Sequence, residues 1–293
     1  MIERTLYKHL QGCDVLEPFL AVHSGNMAIF NQEAPNDLDK GWSKGSQYGR
    51  IVFAVDMTDD PDRKISGVLQ VDFMCEADKC APEEVEPIIR PLMDGYFFKS
   101  TEGTIAAQWR ASNYFTTTTE KIIGVTLTYD LLAFPNQTTL EPDPIALLNK
   151  WTSESLDYVV VIGHDDLPDV WKPKEKSVAI YWKLGQILPC SWINDTYNCS
   201  WQTAVISGHI MAPDENTAVL IARWIKSTLT IKKRLIFPDN APLMVDRNIR
   251  INATLDMLRT GQITLEATYG ILTPPPPYNP LNHLHVNGRG VKQ

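Results

Sequence analysis

The pattern of apolar positions opens at helical spacing, with Ile2, Leu6 and Leu10 on one face and Gly12 just beyond, and predicts a short N-terminal helix. The stretch up to Tyr48 holds Pro35, Gly41, Gly45 and Gly49 and reads as a long loop around one short strand, Met27 to Phe30. From Arg50 the period changes to two. Ile51, Phe53, Val55 and Met57 predict a strand, Asp59-Asp60-Pro61-Asp62 a turn, and Gly67 to Cys75 the returning strand. Pro82-Glu83-Glu84 is suited to a helix N-terminus, and Val85, Ile88, Ile89, Leu92 and Met93 continue it as an amphipathic helix ending near Gly95. Pro87 and Pro91 each remove a backbone donor, so the helix is expected to start late or bend. Two strands follow, through Ile105 to Ala111 and Ile123 to Leu131, which completes a β-β-α-β-β unit.

Phe134 to Pro142 breaks the periodicity and reads as a linker, with a domain boundary near residue 140. Asp143-Pro144 caps a short helix through Ile145, Leu148 and Trp151. Strands are expected over Tyr158 to Ile162, Val178 to Leu184 and Trp201 to Met211, then a helix from Pro213 through Leu229. The last pair reads as a hairpin: Ile249 to Met257, a turn at Arg259-Thr260-Gly261-Gln262, and Ile263 to Ile271. The second unit thus repeats the element order of the first with little identity between them. The fold class is α+β, two tandem domains over 1–140 and 141–272, each a mixed or antiparallel sheet packed by one or two helices. Residues 273–293, with Pro274 to Pro277, Tyr278 and Pro280, form a polyproline II arm suited to contact with a neighbour.

Composition narrows the classes. At 44% hydrophobic and 21% charged residues the chain is globular, and a net charge of -8 works against phosphate-backbone binding as its main activity. The first ten residues mix charges into every turn, so no secretory leader is expected, and no apolar run is long enough to span a bilayer. Synthesis is expected to end in the cytoplasm. The five cysteines contain no C-x-x-C and are expected to be reduced and structural.

The common enzyme signatures are missing: no G-x-S-x-G, no phosphate loop, no H-E-x-x-H and no dinucleotide fingerprint. His164, Asp165 and Asp166 follow an apolar strand and give the one candidate centre for a metal-dependent hydrolase, set against a polar turn before Pro168. His283 and His285 form a solvated tail pair. Asp59, Asp60 and Asp62 lack the order of a calcium loop and read as a charged hairpin tip that would repel a passing polyanion. Lys232-Lys233-Arg234 compensates a helix dipole. Trp42, Trp171 and Trp192 lie in loop-like context, where exposed aromatics point to protein contact. No cofactor or metal is expected.

Several stretches carry a resemblance: Ala28-Ile29-Phe30 leading to Ala34-Pro35 and Gly41-Trp42, Gln47-Tyr48-Gly49-Arg50-Ile51-Val52, Asp60-Pro61-Asp62-Arg63-Lys64, Glu86-Pro87-Ile88-Ile89, Leu92-Met93-Asp94-Gly95, Ile123-Gly124-Val125-Thr126 and Leu132-Ala133-Phe134-Pro135. Over residues 1 to 150 the chain resembles the tail terminator, or tail completion, proteins of long-tailed bacteriophages. The resemblance implies a mixed sheet packed by helices, no catalysis, and a six-fold ring that caps the head-proximal end of the tail tube. It implies a virion protein assembled in the host cytoplasm, whose partners are further copies of itself, the tail tube protein and the head-side connector, with genomic DNA passing the lumen unbound and no membrane. Candidate contacts are Trp42, Tyr48, Asp59, Asp60, Asp62, Trp171, Trp192 and Tyr278. A neck or connector protein on the head side is the alternative within the structural class. Family members usually consist of one such domain, so residues 151 to 293 are either an outer decoration or a diverged second copy.

Overall fold

The computed structural model describes residues 2–43, 47–58, 66–101, 103–117, 121–137, 139–196, 198–246, 248–252 and 256–272. The first half contains α1 (Ile2–Gln11), a 3-10 turn over Asp14–Phe19, β1 (Val22–His23), β2 (Asn26–Met27), β3 (Ile29–Asn31), β4 (Arg50–Met57), β5 (Gly67–Glu76), α2 (Pro82–Met93), β6 (Phe97–Ser100), β7 (Gly103–Thr116) and β8 (Ile122–Pro135). The second contains α3 (Pro144–Ser155), β9 (Val159–Val161), β10 (Val170–Trp171), β11 (Val178–Pro189), β12 (Cys199–Met211), α4 (Glu215–Lys232), β13 (Arg234–Ile236), β14 (Pro242–Val245), β15 (Arg250–Ile251) and β16 (Ile263–Leu272).

The protein is mixed α+β, built on two large sheets. One runs β10-β6-β7-β8-β5-β4-β3, the other β13-β14-β16-β12-β11-β9 with β15 beside β16. Neighbours are antiparallel except at one place in each sheet: β3 lies parallel to β4, and β9 parallel to β11. Strand for strand, β6-β7-β8-β5-β4-β3 and β13-β14-β16-β12-β11-β9 occupy matching places in chain order. The helices match too. α1 touches β3 and β6 while α3 touches β9 and β13, and α2 and α4 each lie on a central strand, β5 and β12.

Each sheet buries its helix-facing side in its own core. In the first, Leu6 and Leu10 of α1 and Val85 and Ile89 of α2 pack on Phe53, Phe73 and Leu127. In the second, Leu148 of α3 and Ile221 and Ile225 of α4 pack on Trp182, Ile206 and Leu265. Trp182 fits because Gly208 lies opposite it, where a Cβ would come within 2.6 Å of the indole. Its N–H donates to the Thr152 hydroxyl at 2.9 Å, so this large buried side chain leaves no polar group unpaired. Side chains alternate along a strand, so Phe97, Ala106, Leu132 and Phe134 point away from the helices, as do Ala179, Tyr181 and Met211 of the second sheet. These meet in a third apolar cluster, which makes the order of layers helix, sheet, sheet, helix at that end.

Several expectations are corrected. Helix α2 does not start late: Pro82 occupies its first position, and Pro87 and Pro91 lie on its exposed face, where the freed carbonyls reach water. The strand expected over 27–30 is split between β2 and β3. The final hairpin is reduced to two residue pairs of β15, because β14 takes the edge of β16 at Thr268 and Ala267. The position near residue 140 does lie between β8 and α3, yet the chain crosses back later, when β10 pairs with β6 on the outer edge of the first sheet.

Candidate functional site

The seam between the sheets is where the two halves act on one another. Phe134 meets Tyr181 edge to face at 5.2 Å, and Phe97 meets Trp171 at 5.2 Å. The Tyr181 hydroxyl donates to the Pro135 carbonyl at 3.0 Å, and burial pushes it up to about 12. His209 is buried against the same rings; its Nδ1 lies 2.9 Å from the Met257 carbonyl and so carries the proton, and burial lowers its pKa below 6.5. Asp130, on the seam side of β8 and nearly inaccessible, accepts from Arg110 at 3.0 Å and from Arg259 of the other half at 2.6 Å. The backbone irregularity between Trp109 and Ala111 aims Arg110 at it.

The sequence-derived candidates separate into distinct places. Trp171 is corrected: it is 9% exposed, because the two residues of β10 pair with Phe97 and Phe98 and turn the indole into the seam. Trp42 is half-buried, stacked against His23 and Phe30 at 4.8 and 5.7 Å, with its indole N–H on the Asn36 carbonyl. The Tyr48 hydroxyl donates to Asp37 at 2.7 Å, and Arg50 reaches the same carboxylate at 2.8 Å; these contacts, the Tyr48 bond foremost, hold the Asp37 carboxyl below its ordinary range. Trp192 is 64% exposed at the rim of a groove of about 660 Å³ on the uncovered face of the second sheet. Asp59, Asp60, Asp62 and Tyr278 lie outside the described residues, as do His283 and His285.

His164, Asp165 and Asp166 are not drawn together. Asp165 closes its own turn by accepting the Val161 N–H at 2.7 Å and the Ser153 hydroxyl at 3.1 Å, Asp166 turns to Lys99 of the first sheet at 2.7 Å, and His164 stays exposed. Among the described residues no three His, Cys, Asp or Glu side chains are placed to share a metal ion, none of the cysteines is in a disulfide, and no helix is long and apolar enough to cross a membrane.

Away from the seam the uncovered faces are polar. On the first sheet Ala54, Gln70, Asp72, Thr126 and Asn113 form a flat, small-residue surface in which Thr126 donates to Asp72 at 2.6 Å. On the second, Thr203, Met244, Glu266 and Thr268 line the groove beside Trp192. A second groove, about 470 Å³, follows the outer edge of β13 against α3 and is lined by Arg234, Ile236 and Trp151, whose buried indole N–H has no partner.

Sequence reasoning missed Leu38, Ile236 and Met244, although a signal was present. Asp37-Leu38-x3-Trp42 and Asp166-Leu167-x3-Trp171 are the same D-L-x3-W pattern, and each follows the parallel strand of its own half, β3 or β9. Leu167 is buried in the seam at 7% exposure, while Leu38 stands out at 89%. Compared with known proteins, the chain matches no family model, and no curated protein or solved structure is significantly similar to it.

Proposed function

We propose that this chain is a structural protein of a bacteriophage virion, a tail terminator that closes into a ring on the head-proximal end of the tail tube and joins tail to head. The observation that carries the reading is the division of each sheet's surface. Helices cover one face, the other face is half consumed in the seam, and the remaining half is left open as flat, polar strand surface suited to a protein neighbour. In this reading each half is one β-β-α-β-β unit with a parallel strand at its edge, and the second half is a diverged copy of the first. The protein works by shape, with no covalent step and no cofactor. Its neighbours are further copies in a six-fold ring, the tail tube protein and the head-side connector. A net charge of -8 lets genomic DNA pass the lumen without adhering.

Deletion of the gene tests this directly. Headless particles with overlong tubes are expected. Tails of normal length attached to nothing would assign the protein to the head side of the joint instead, as a connector, and normal infectious particles would end the structural reading.

A further inference from the structure

The seam inside the chain is head-to-tail. The first half contributes β6, β7 and β8, whereas the second contributes β9, β11, β12 and the D-L-x3-W loop. By position in the sheet these last correspond to β3, β4, β5 and the Asp37–Trp42 loop, so the two halves use different faces of the same architecture. One face of each kind is therefore used, and one of each kind is left over at opposite ends of the molecule.

The leftover faces are defined residue by residue by the hydrogen-bond registers. The Ala107 N–H donates to the Tyr96 carbonyl in the first sheet, as the Val245 N–H does to that of Lys233 in the second. Superposing these bonds puts Arg234 and Met244 where Phe97 and Ala106 stand, and the outward-facing backbone of Ile236 where Lys99 receives β10. On the other side, the parallel pairs Ile29 with Ile51 and Val159 with Val178 put Val52 and Ala54 where Ala179 and Tyr181 stand. Trp42 follows Asn31 by eleven positions and Trp171 follows Val161 by ten, so both indoles come at the same distance from their sheets.

We infer that the seam is repeated between molecules: the Asp37–Trp42 loop of one copy adds to the outer edge of β13 of the next, and the β4–β5 face of the first seats on the groove beside Trp192 of the second. The partner is a second copy of this chain. Three features support this occupant over any other. Both grooves of the second half lie where the first half is already filled by its own neighbour. The loop needed to fill them is the one whose twin, Asp166–Trp171, makes the internal contact. Its leucine, buried in the twin, is exposed here. Contacts of this kind propagate in one direction and close when the rotation allows. Only the chain number rests on the ring reading: at two units a chain, six positions need three chains.

Leu38→Asp and Ile236→Asp each damage one of the two leftover faces at an exposed side chain, so the fold is retained; Leu220→Asp on α4, also exposed, is the control. The purified full chain is sized by sedimentation at concentrations up to the order of 100 µM. The parent and the control are expected to form one closed species of three 33.1 kDa chains, and each face variant to associate roughly 100-fold more weakly, as for loss of a central contact. An equal mixture of the two face variants is expected to give a one-to-one dimer and nothing larger, because one intact face of each kind survives. A face variant that assembles like the parent, or a mixture that stays monomeric, overturns the inferred seam and leaves the ring reading standing. A parent that stays monomeric throughout also overturns the seam, and the deletion phenotype then decides the ring reading separately.

Discussion

Phe134→Ala removes the central ring of the seam without touching either helix-covered core. The side chain is 3% exposed and is flanked by Phe97, Tyr181 and His209 at 5.9, 5.2 and 6.0 Å between ring centres. Its neighbours are held by strands of two different sheets, so the cavity cannot collapse without shifting one sheet on the other. A buried Phe→Ala change costs about 3–5 kcal/mol, and the upper half of that range is expected here for that reason. With a guanidinium dependence of about 4 kcal/mol per molar, the unfolding midpoint should fall by roughly 1 M. Hydrogen exchange is the more telling assay. The Lys99 N–H donates across the seam to the Asp169 carbonyl at 2.9 Å, and that bond opens whenever β10 leaves β6. In the variant its exchange should quicken roughly 10²–10³-fold, ahead of amides in β12, because the seam can then open while each core stays closed. Uniform acceleration in both sheets would mean that the halves have no separable stability. A midpoint within about 0.2 M of the parent would refute the claim that the seam binds them.

Other substitutions probe the cores and the seam's charge. Thr152→Val leaves the buried Trp182 indole N–H without its acceptor and should cost about 1–3 kcal/mol, with Thr152→Ser restoring most of it in the same denaturation assay. Asp214 caps α4 by accepting the Thr217 N–H at 2.9 Å, so Asp214→Ala should lower stability by about 1 kcal/mol and Asp214→Asn by much less. His209 has a folded pKa depressed below 6.5 by burial, so the unfolded chain takes up the proton first. Its contribution is complete above 6.5 and is lost as pH falls below it through the folded value; His209→Gln should flatten that part of the stability–pH curve, and an unchanged slope between about pH 6.5 and 5 would count against a neutral buried ring.

The long elements were legible because their own residues bury them. β4, β5, β8 and β12 alternate strictly, and α1 and α4 carry an apolar stripe. What escaped were segments defined by a partner rather than by themselves. β10 is two residues that become a strand only because β6 offers a free edge, and β13 and β14, three and four residues long, are too short to show a period. The hairpin failed for the same reason: Ile249 and Ile251 alternate correctly, but β14 claims the neighbouring edge first. Trp171 was read as exposed because its loop context is polar. Its burial depends on Phe97, 74 positions away. The D-L-x3-W repeat was readable, yet its meaning came only from the burial of one leucine and the exposure of the other.

The filled seam and the inferred one differ in chemistry as their histories require. Inside the chain the seam forms once, during folding, and can be built from Phe97, Leu132 and Met211. The corresponding positions of the open faces are Arg234, Thr268 and Asp72, which keep a free molecule hydrated until it meets another. Superposition brings Arg234 to the place where Phe97 packs on Trp171, so the guanidinium of one copy would lie against the Trp42 indole of the next, an interaction of about 0.5–2 kcal/mol. Charged groups at both leftover faces make the contact between molecules sensitive to ionic strength, whereas the aromatic seam within each is not. Raising salt from about 0.1 to 1 M shortens the screening length from about 10 to 3 Å, and should dissociate assemblies into intact chains at concentrations where the unfolding midpoint of the single chain stays in place. Salt that strengthened association would mean the interface is apolar, and would place it on some other surface than the two named here.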